Sequence, residues 1–300
     1  MKQFLKKFLD TVAPRWTAAL MSARARAHSH KVLVSWGCGP LNRKLVEHFG
    51  NQVQEGPFAG LTLPGMTHAE QIGPYLLGVY ESELDLAWDI VFQGSYTQII
   101  DIGAKFGYYA VGLANRYPNA SVVAFDTDWW ARKAVREVAA ANGAGNLQVK
   151  GFCSPDWLVQ NTHEAAFVIS DCEGYEDVLF GPEIIPKLRS VPLIIETHDG
   201  VVLGVSDKLR AAFGETHVVQ VYGQQGTRRV TTFRLNFLSE TERQLAVQEI
   251  RAPQSWLLCL PRTGPNQALH RSRVATSVSV SGTSQLRQEV GADELARHID

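Results

Sequence analysis

The sequence predicts an α/β fold: a mostly parallel, seven-stranded sheet with helices on both faces and an antiparallel final strand. Between residues 97 and 197, short apolar runs alternate with segments of helical apolar spacing, which is typical of strand–helix–strand units in a parallel sheet. The last two apolar runs, at 217–223 and 255–261, show no long crossover pattern that would demand parallel pairing. We therefore expect an antiparallel end to the sheet.

Each predicted strand is a short run of apolar residues bounded by polar or glycine-containing segments. The seven runs lie at 97–101, 121–126, 147–152, 166–171, 191–197, 217–223 and 255–261. Predicted helices lie at 108–117, 128–141, 175–189 and 205–213, with one or two more between 75 and 92. A stretch rich in Gly and Pro at 56–65 predicts turns around a short strand at 61–63.

Composition changes along the chain predict three regions. Residues 1–55 are a basic, helical segment, with seven Lys or Arg and one acidic residue up to Lys31. Its opening, MKQFLKKFLDTV, has one apolar and one lysine-bearing helical face, which fits a docking or solvated helix, or a weak contact with a membrane surface. Residues 56–261 form the ligand-binding domain, and residues 262–300 are predicted to be a disordered tail with a short helix near 292–298.

Cysteine usage and hydropathy predict a cytoplasmic protein. The four scattered cysteines form no CxxC pair, no apolar run reaches transmembrane length, and the opening residues lack the pattern of a signal peptide. The whole chain carries a net charge of −1, so the part beyond the basic opening is net acidic. With no D/N-P-P-Y/F box present, we expect no nucleic-acid partner.

The segment Asp101-Ile-Gly-Ala-Lys-Phe-Gly107 stands where a predicted strand gives way to a helix. Glycines there permit a sharp turn and the close approach of a ligand. Because ligands of open parallel sheets bind at the carboxyl ends of the strands, this loop is the candidate cofactor site, through Asp101, Gly103, Ala104 and Gly107. Asp126 ends the next strand and is placed to bind the two hydroxyls of a ribose.

Charge separates two ligand classes that fit such a loop. A dinucleotide presents a pyrophosphate to a GxGxxG loop, whereas this chain has Gly103-x-x-x-Gly107 preceded by an acid, Asp101. A carboxylate there repels phosphate and attracts the ammonium and sulfonium groups of S-adenosylmethionine. The loop therefore favours S-adenosylmethionine as cofactor, with a nicotinamide-dependent Rossmann oxidoreductase and a tight turn without a ligand as alternatives.

A second polar group follows the next two strands of the alternation. Asp171 and Glu173 share one face of the extended chain, Glu196 and His198 share another, and Glu176 falls in the first turn of the following helix. Three interpretations stay open. His198 or a carboxylate is a general base or positions the acceptor, three of the groups hold a divalent metal ion, or the groups are structural. We predict His198, Glu196 and Glu173 as catalytic residues; for a metal, which is not predicted, the ligands would be Asp171, Glu196 and His198.

Four runs together resemble the FkbM-type S-adenosylmethionine-dependent methyltransferases: IIDIGAKFGYYAVGLA, VVAFD, SDCEGYEDVLFGPE and LIIETHD. The similarity covers about residues 56–199 and is weaker up to residue 261. It implies a Rossmann-like class I methyltransferase fold and O-methylation of a hydroxyl on a small molecule or glycan. It also implies that Asp101, Gly103 and Gly107 line the methionine end of the cofactor, with Asp126 at the ribose and Asp171 near the sulfonium.

Two positions depart from the pattern of that family. Lys105 stands where a small or polar residue is common, so it either alters the loop or reaches the cofactor carboxylate. Asp126 stands where Glu-Pro is common, and its shorter side chain has to reach the ribose. These departures keep a further alternative open, namely a non-catalytic binding protein that retains the fold.

Overall fold

Seven strands form one sheet in the part of the chain that the computed structural model describes, which comprises residues 38–65, 71–223, 232–249, 251 and 254–270. The strands are β1 (Gln98–Ile102), β2 (Ser121–Phe125), β3 (Leu147–Lys150), β4 (Ala166–Ser170), β5 (Leu193–Thr197), β6 (His217–Gly223) and β7 (Ser255–Pro261). Their order is β3-β2-β1-β4-β5-β7-β6. Neighbours are parallel except at β7, which runs antiparallel to β5 and β6. The predicted Rossmann-like class I methyltransferase fold is confirmed.

The helices lie before the sheet or in the connections between its strands, as parallel pairing requires. Within the described residues the α-helices are α1 (Cys38–Phe49), α2 (Gly73–Leu77), α3 (Asp85–Val91), α4 (Tyr108–Arg116), α5 (Trp129–Ala141), α6 (Pro155–Asn161), α7 (Glu176–Leu179), α8 (Val205–Gly214) and α9 (Glu240–Val247). Short 3-10 helices occur at Ser82–Leu84, Ile185–Leu188, Thr232–Leu235 and Gln267–His270. None of the described helices is long and apolar enough to cross a bilayer.

The central strands are buried on both faces because helices cover both sides of the sheet. Successive residues of β1 alternate between two apolar cores, with Ile99 in the first and Ile100 in the second. Trp256 of β7 packs in the first core and Phe213 of α8 in the second, and both are fully buried. This double burial holds the ends of β1, β2, β4 and β5 in fixed positions at one edge of the sheet.

One predicted helix, at 175–189, is two short pieces in the structure. Helix α7 ends at Leu179, and the 3-10 helix Ile185–Leu188 follows after a turn. Pro182 explains the break, because proline lacks the N–H that a helix needs and disfavours helical backbone in the residue before it.

Helices α6 and α9 have no counterpart in the sequence prediction, although caps signal both. The Ser154 hydroxyl accepts the Trp157 N–H at 3.2 Å, one residue ahead of a proline that begins α6. Ser239 and Glu242 form a reciprocal capping box at the start of α9. The strand predicted at 61–63 is reduced to a single bridge between Gln52 and Thr62.

The packed region extends beyond the predicted 56–261 range on both sides. Helix α1 buries Leu41 and Leu45 in the first core, so residues from 38 onward pack with the domain. After β7, Asn266 and Leu269 are also buried, although the sequence predicts a disordered tail from 262. The amphipathic helix predicted at the opening and the helix predicted at 292–298 lie outside the described residues.

The turn between β1 and α4 depends on Gly103. Its φ is +90°, and its N–H and that of Ala104 both donate to the Phe125 carbonyl, at 2.8 and 2.9 Å. A Cβ atom on Gly103 would lie 1.6 Å from the carbonyl oxygen of Asp171, because the segments that follow β1 and β4 run side by side. Only glycine satisfies both the left-handed backbone and this contact.

We expect Gly103→Ala to destabilise the fold much more than Gly60→Ala. Gly60 is a matched control because its φ is +89° but nothing lies within 4 Å of a Cβ built on it. A left-handed backbone costs an L-residue roughly 1–2 kcal/mol, and the overlap with Asp171 adds to this at Gly103 alone. Urea denaturation should show at least twice the loss of unfolding free energy for Gly103→Ala, and equal losses would contradict the close contact.

Candidate functional site

Three aspartates meet at the carboxyl edge of the central strands. Asp101 lies in β1, and Asp126 and Asp171 directly follow β2 and β4, the two neighbours of β1. The register aligns Ile102 of β1 with Ser170 of β4, so the strands end at the same level. Three carboxylates are thereby gathered where open α/β sheets bind their ligands.

The Asp101 carboxyl group is the most deeply buried of the three. It is 2% exposed, and its Oδ2 atom has no hydrogen-bond partner. Burial raises its pKa to about 8, with the charges of Asp171 and Asp126 adding to the rise and the Ala110 N–H opposing it. Because buried polar groups are nearly always paired, this carboxyl group is expected to have a ligand as its missing partner.

Asp126 is held in place by two backbone donors. Its Oδ2 accepts the Lys105 N–H at 2.9 Å, and its Oδ1 accepts the Asp128 N–H at 2.8 Å. Burial raises its pKa to about 7, even though the Lys105 N–H lowers it. Each carboxylate oxygen can accept a further hydrogen bond, so Asp126 can still bind hydroxyl groups of a ligand.

A groove of about 370 Å³ lies beside Asp126, within the size range of small-molecule sites. It is lined by Thr127, Arg132, Gly151 and Phe152, which follow β2 or β3 or lie on α5. At the start of α5, Trp129 and Trp130 are about half exposed and stack on each other with ring centroids 4.1 Å apart. The sequence prediction did not include this groove, although two tryptophans so close to a strand-ending acid are a detectable signal.

Lys105 lies close to Asp126, whose Oδ2 accepts the Lys105 N–H. Its backbone is left-handed, with φ of +51°, and its Nζ atom lies 3.2 Å from the Tyr75 hydroxyl. Burial raises the pKa of Asp126, and Asp171 together with burial raises the pKa of Glu173; the positive charge of Lys105 opposes both rises. Lys105 therefore extends the positive charge of its loop towards Asp126 and towards Glu173, which lies in the segment after β4.

His198, directly after β5, lies at the centre of a second cluster. Its Nδ1 atom is 2.6 Å from Glu176 Oε1, and both side chains are buried. Its Nε2 atom faces three carboxylates, with contacts of 3.4 Å to Asp171, 3.6 Å to Glu173 and 3.7 Å to Glu196. Asp171 and Glu173, which follow β4, thus lie close to Glu196 and His198 at the end of β5, because these two strands are adjacent and parallel.

The carboxylates around His198 also set its charge. Burial lowers its pKa, but the hydrogen bond to Glu176 and the charges of Asp171 and Glu173 outweigh burial and raise the pKa to about 9. The pKa of Glu196 is raised well above its usual range by burial and by Asp171, with Arg251 opposing the rise.

Arg251 binds Glu196 and was missed by sequence reasoning. Its Nη1 donates to Glu196 Oε1 at 2.6 Å, its Nη2 to Glu83 at 2.6 Å, and its Nε to Glu249 at 2.9 Å. Glu81 Oε1 lies 3.6 Å from the same guanidinium, and Glu81 Oε2 accepts a hydrogen bond from the Tyr109 hydroxyl. No motif surrounds Arg251 in the sequence, because Glu81, Glu83 and Glu196 come from distant segments.

Glu173 differs from the other acids of this cluster in exposure and backbone. Its side chain is 53% exposed, whereas those of His198 and Glu196 are 2% and 3% exposed. Its φ is +54°, in the left-handed region where a glutamate is uncommon. Such an outlier costs of order 1 kcal/mol and is found preferentially at functional sites. Among the described non-glycine residues, Glu173 shares a positive φ with Glu81 and Lys105.

The structure brings the predicted acids and His198 to one edge of the sheet and gives the loop residues a different role. The N–H groups of Gly103 and Ala104 both donate to the Phe125 carbonyl, so they are not available as hydrogen-bond donors to a ligand. A ligand can still approach the backbone of this turn closely. Gly107, with φ of +92°, caps the start of α4. The described residues contain one group of acids and histidine with metal-ligand spacing: Asp171, Glu196 and His198.

No family model and no curated protein sequence matches this chain. Among solved structures it is similar to the precorrin-6y C5,15-methyltransferase of Geobacter metallireducens (TM-score 0.42, 14% identity, 60% of this chain and 86% of that one). It is also similar to an rRNA methylase of Streptococcus thermophilus (TM-score 0.43, 12% identity, 60% of this chain and 97% of that one). A third similar structure is SMU.1697c of Streptococcus mutans, in complex with SAH (TM-score 0.37, 17% identity, 59% of this chain and 97% of that one). Identities of this size bear on the fold alone.

We expect Asp101→Asn to stabilise the protein increasingly as the pH rises. The pKa of Asp101 is about 8 in the folded protein and near 3.8 in the unfolded chain, so the folded state binds the proton more tightly. Stability is therefore lost between about pH 4 and 8, by up to about 1.4 kcal/mol per pH unit. The difference in Tm between the variant and the wild type should grow from pH 5 to pH 8.

Asp89→Asn, which changes an exposed carboxylate of α3, is the control for that comparison. Its Tm should track that of the wild type across the same pH range. A constant offset for Asp101→Asn would mean that the Asp101 carboxyl group is paired or solvated in the folded protein.

Proposed function

We propose that this chain transfers a methyl group from S-adenosylmethionine to a hydroxyl group of a small molecule or glycan. The observation that carries the proposal is the buried Asp101 carboxyl group, which lacks a partner at Oδ2 and lies near Asp126 and Asp171. A ligand that brings positive charge and N–H donors satisfies such a group. The α-ammonium of S-adenosylmethionine has both properties.

The rest of this edge also fits the cofactor. Asp126 has acceptor capacity left for the ribose hydroxyls, and the groove beside it offers the aromatic face of Phe152 for an adenine ring. Gly103 lets the chain pass close to the ligand because it has no side chain there. Asp171, on the β4 side, adds negative charge where the sulfonium would lie.

A nicotinamide dinucleotide fits less well. Its pyrophosphate would meet the three aspartates, and the N–H groups of Gly103 and Ala104 that could bind phosphate already donate to Phe125. The described residues thus favour a cationic nucleoside over a phosphate-bearing one.

When bound, S-adenosylmethionine supplies an electrophilic methyl group on its sulfonium sulfur. The protein's contribution is to hold the acceptor in line, to exclude water and to take up the proton of the hydroxyl. Glu173 is the best-placed proton acceptor, because its carboxylate is exposed enough to meet an acceptor that arrives from solvent. Glu196 is engaged by Arg251, and His198 is buried behind Glu173, so these two predicted catalytic residues act by positioning.

The acceptor class follows from the same charges and from the FkbM-type resemblance. Carboxylates on the rim disfavour phosphate-bearing acceptors, including nucleic acids. A hydroxyl on an uncharged small molecule or sugar meets no such repulsion. The resemblance of the sequence runs to the FkbM-type enzymes supports O-methylation of this kind.

Binding of S-adenosylhomocysteine tests the cofactor assignment. We expect it to raise the Tm of the wild type, since a ligand at 100 times its Kd stabilises a protein by about 2.7 kcal/mol. NADH at the same concentration should leave the Tm unchanged. In Asp101→Asn the S-adenosylhomocysteine shift should be lost, because the neutral amide no longer attracts the ammonium.

Asp89→Asn should keep the full shift in the same assay. A shift with NADH alone would overturn the proposal, and an equal S-adenosylhomocysteine shift in Asp101→Asn would remove Asp101 from the site.

Turnover in a Glu173→Gln variant tests the proton acceptor. With an acceptor found in a panel of sugars and small hydroxyl compounds, release of S-adenosylhomocysteine should slow by about 10²-fold or more, because general-base catalysis contributes that much. Cofactor binding should stay unchanged. Glu183→Gln, at an exposed position on the same connection, is the matched control and should turn over normally. Normal turnover in Glu173→Gln would rule out this role.

A further inference from the structure

Three side chains at the carboxyl edge of β4 and β5 converge on one point. One oxygen of Asp171, one of Glu196 and a ring nitrogen of His198 all lie within 4.8 Å of one another. The Nε2 atom of His198 is 3.4 Å from Asp171 Oδ1 and 3.7 Å from Glu196 Oε2. Atoms that bind one metal ion at about 2.0–2.2 Å can be up to about 4.4 Å apart, so these two spacings suit a shared cation.

An unpaired buried nitrogen points into the same space. His198 is 2% exposed, and its Nε2 atom has no hydrogen-bond partner. The facing Oδ1 atom of Asp171 has none either. Because buried polar atoms are nearly always hydrogen-bonded, two such atoms that face each other at 3.4 Å indicate a ligand between the side chains.

The other nitrogen of His198 has the partner that metal-binding histidines usually have. Glu176, fully buried at the start of α7, lies 2.6 Å from Nδ1 through its Oε1 atom. A carboxylate in this position fixes the ring orientation and leaves Nε2 to bind the metal. Glu176 occurs in no predicted catalytic set, and this contact gives it a function.

Arg251 orients the third ligand. It holds Glu196 Oε1 at 2.6 Å, and the other oxygen, Oε2, faces His198 at 3.7 Å. Its guanidinium is also shared with Glu83 and Glu249. Arg251 therefore neutralises several carboxylates at once and leaves one Glu196 oxygen directed at the candidate site.

We infer that Asp171, Glu196 and His198 bind a divalent transition-metal cation. Two carboxylate oxygens and one imidazole nitrogen suit Mn²⁺, Fe²⁺ or Zn²⁺ better than Mg²⁺, which prefers oxygen ligands alone. Three protein ligands leave coordination positions for water or an acceptor oxygen. The sequence analysis left a metal bound by these same three residues open without predicting it, and the distances above favour that alternative.

The use of this cation in catalysis rests on the proposed function. A metal-bound hydroxyl has a lowered pKa, so the acceptor would lose its proton more easily to Glu173. Binding of the cation itself does not require methyl transfer. The two proposals can therefore fail separately.

Titration of the full-length, EDTA-treated protein with Mn²⁺ tests the inference. We expect one site per chain with a sub-millimolar Kd, seen by calorimetry and by loss of the free-Mn²⁺ electron paramagnetic resonance signal. His198→Gln removes a ligand and should weaken binding at least tenfold. Glu176→Gln leaves the three ligands in place and should weaken it by about 10- to 100-fold, as expected for a residue that orients a metal-binding histidine.

His163→Gln is the matched control and should bind Mn²⁺ like the wild type, because this exposed histidine precedes β4 whereas Asp171 follows the opposite end of that strand. Circular dichroism and the cooperativity of thermal unfolding report whether each variant is folded. If His198→Gln does not fold, Glu176→Gln carries the comparison.

Absence of sub-millimolar Mn²⁺ binding to the wild type, or equal affinity in His198→Gln and His163→Gln, would overturn the metal site. A protein that binds S-adenosylhomocysteine but no Mn²⁺ would leave the proposed function intact. A protein that binds Mn²⁺ but no S-adenosylhomocysteine would refute the proposed cofactor and leave the metal site standing.

Discussion

Burial of carboxylates at the carboxyl edge of the sheet is the constraint on which the candidate site depends. Asp101, Asp126 and Asp171 occupy three adjacent strand ends because β1 lies between β2 and β4. Burial and mutual repulsion raise the pKa values of Asp101 and Asp126. Carboxylates gathered in this way lower the unfolding free energy of the ligand-free protein. A positively charged ligand would offset this repulsion, so the protein is less stable without the ligand than with it.

In the cluster around His198, side chains of the protein itself offset much of the negative charge of the carboxylates. Arg251 is shared among several acids, and His198 lies among the remaining carboxylates, with its Nδ1 against Glu176. Among the described groups of this cluster, His198 Nε2, Asp171 Oδ1 and Glu176 Oε2 are buried without a hydrogen-bond partner. The proposed cofactor site and the proposed cation site therefore share one property, which is an excess of negative charge that the described side chains do not fully neutralise.

The sequence predicts the fold well because the fold depends on local patterns. Apolar alternation locates all seven strands, and the loop from Asp101 to Gly107 lies at the turn between β1 and α4, as predicted. Long-range partners are invisible to such patterns: Arg251 meets Glu83 only because the segments around α3 and β7 pack together. The pairing of Glu176 with His198 depends likewise on α7 lying beside β5. The missed helix α6, by contrast, has a readable cap at Ser154.

Calorimetric titration with S-adenosylhomocysteine, at about pH 7 in buffers of different ionisation enthalpy, measures how many protons leave when the ligand binds. Asp101 is largely protonated in the empty site at this pH, so an ammonium that pairs with it should expel close to one proton per ligand. Asp101→Asn should release none. Binding without proton release, or binding of a dinucleotide in place of S-adenosylhomocysteine, would contradict a site in which a buried carboxylate selects a cationic nucleoside.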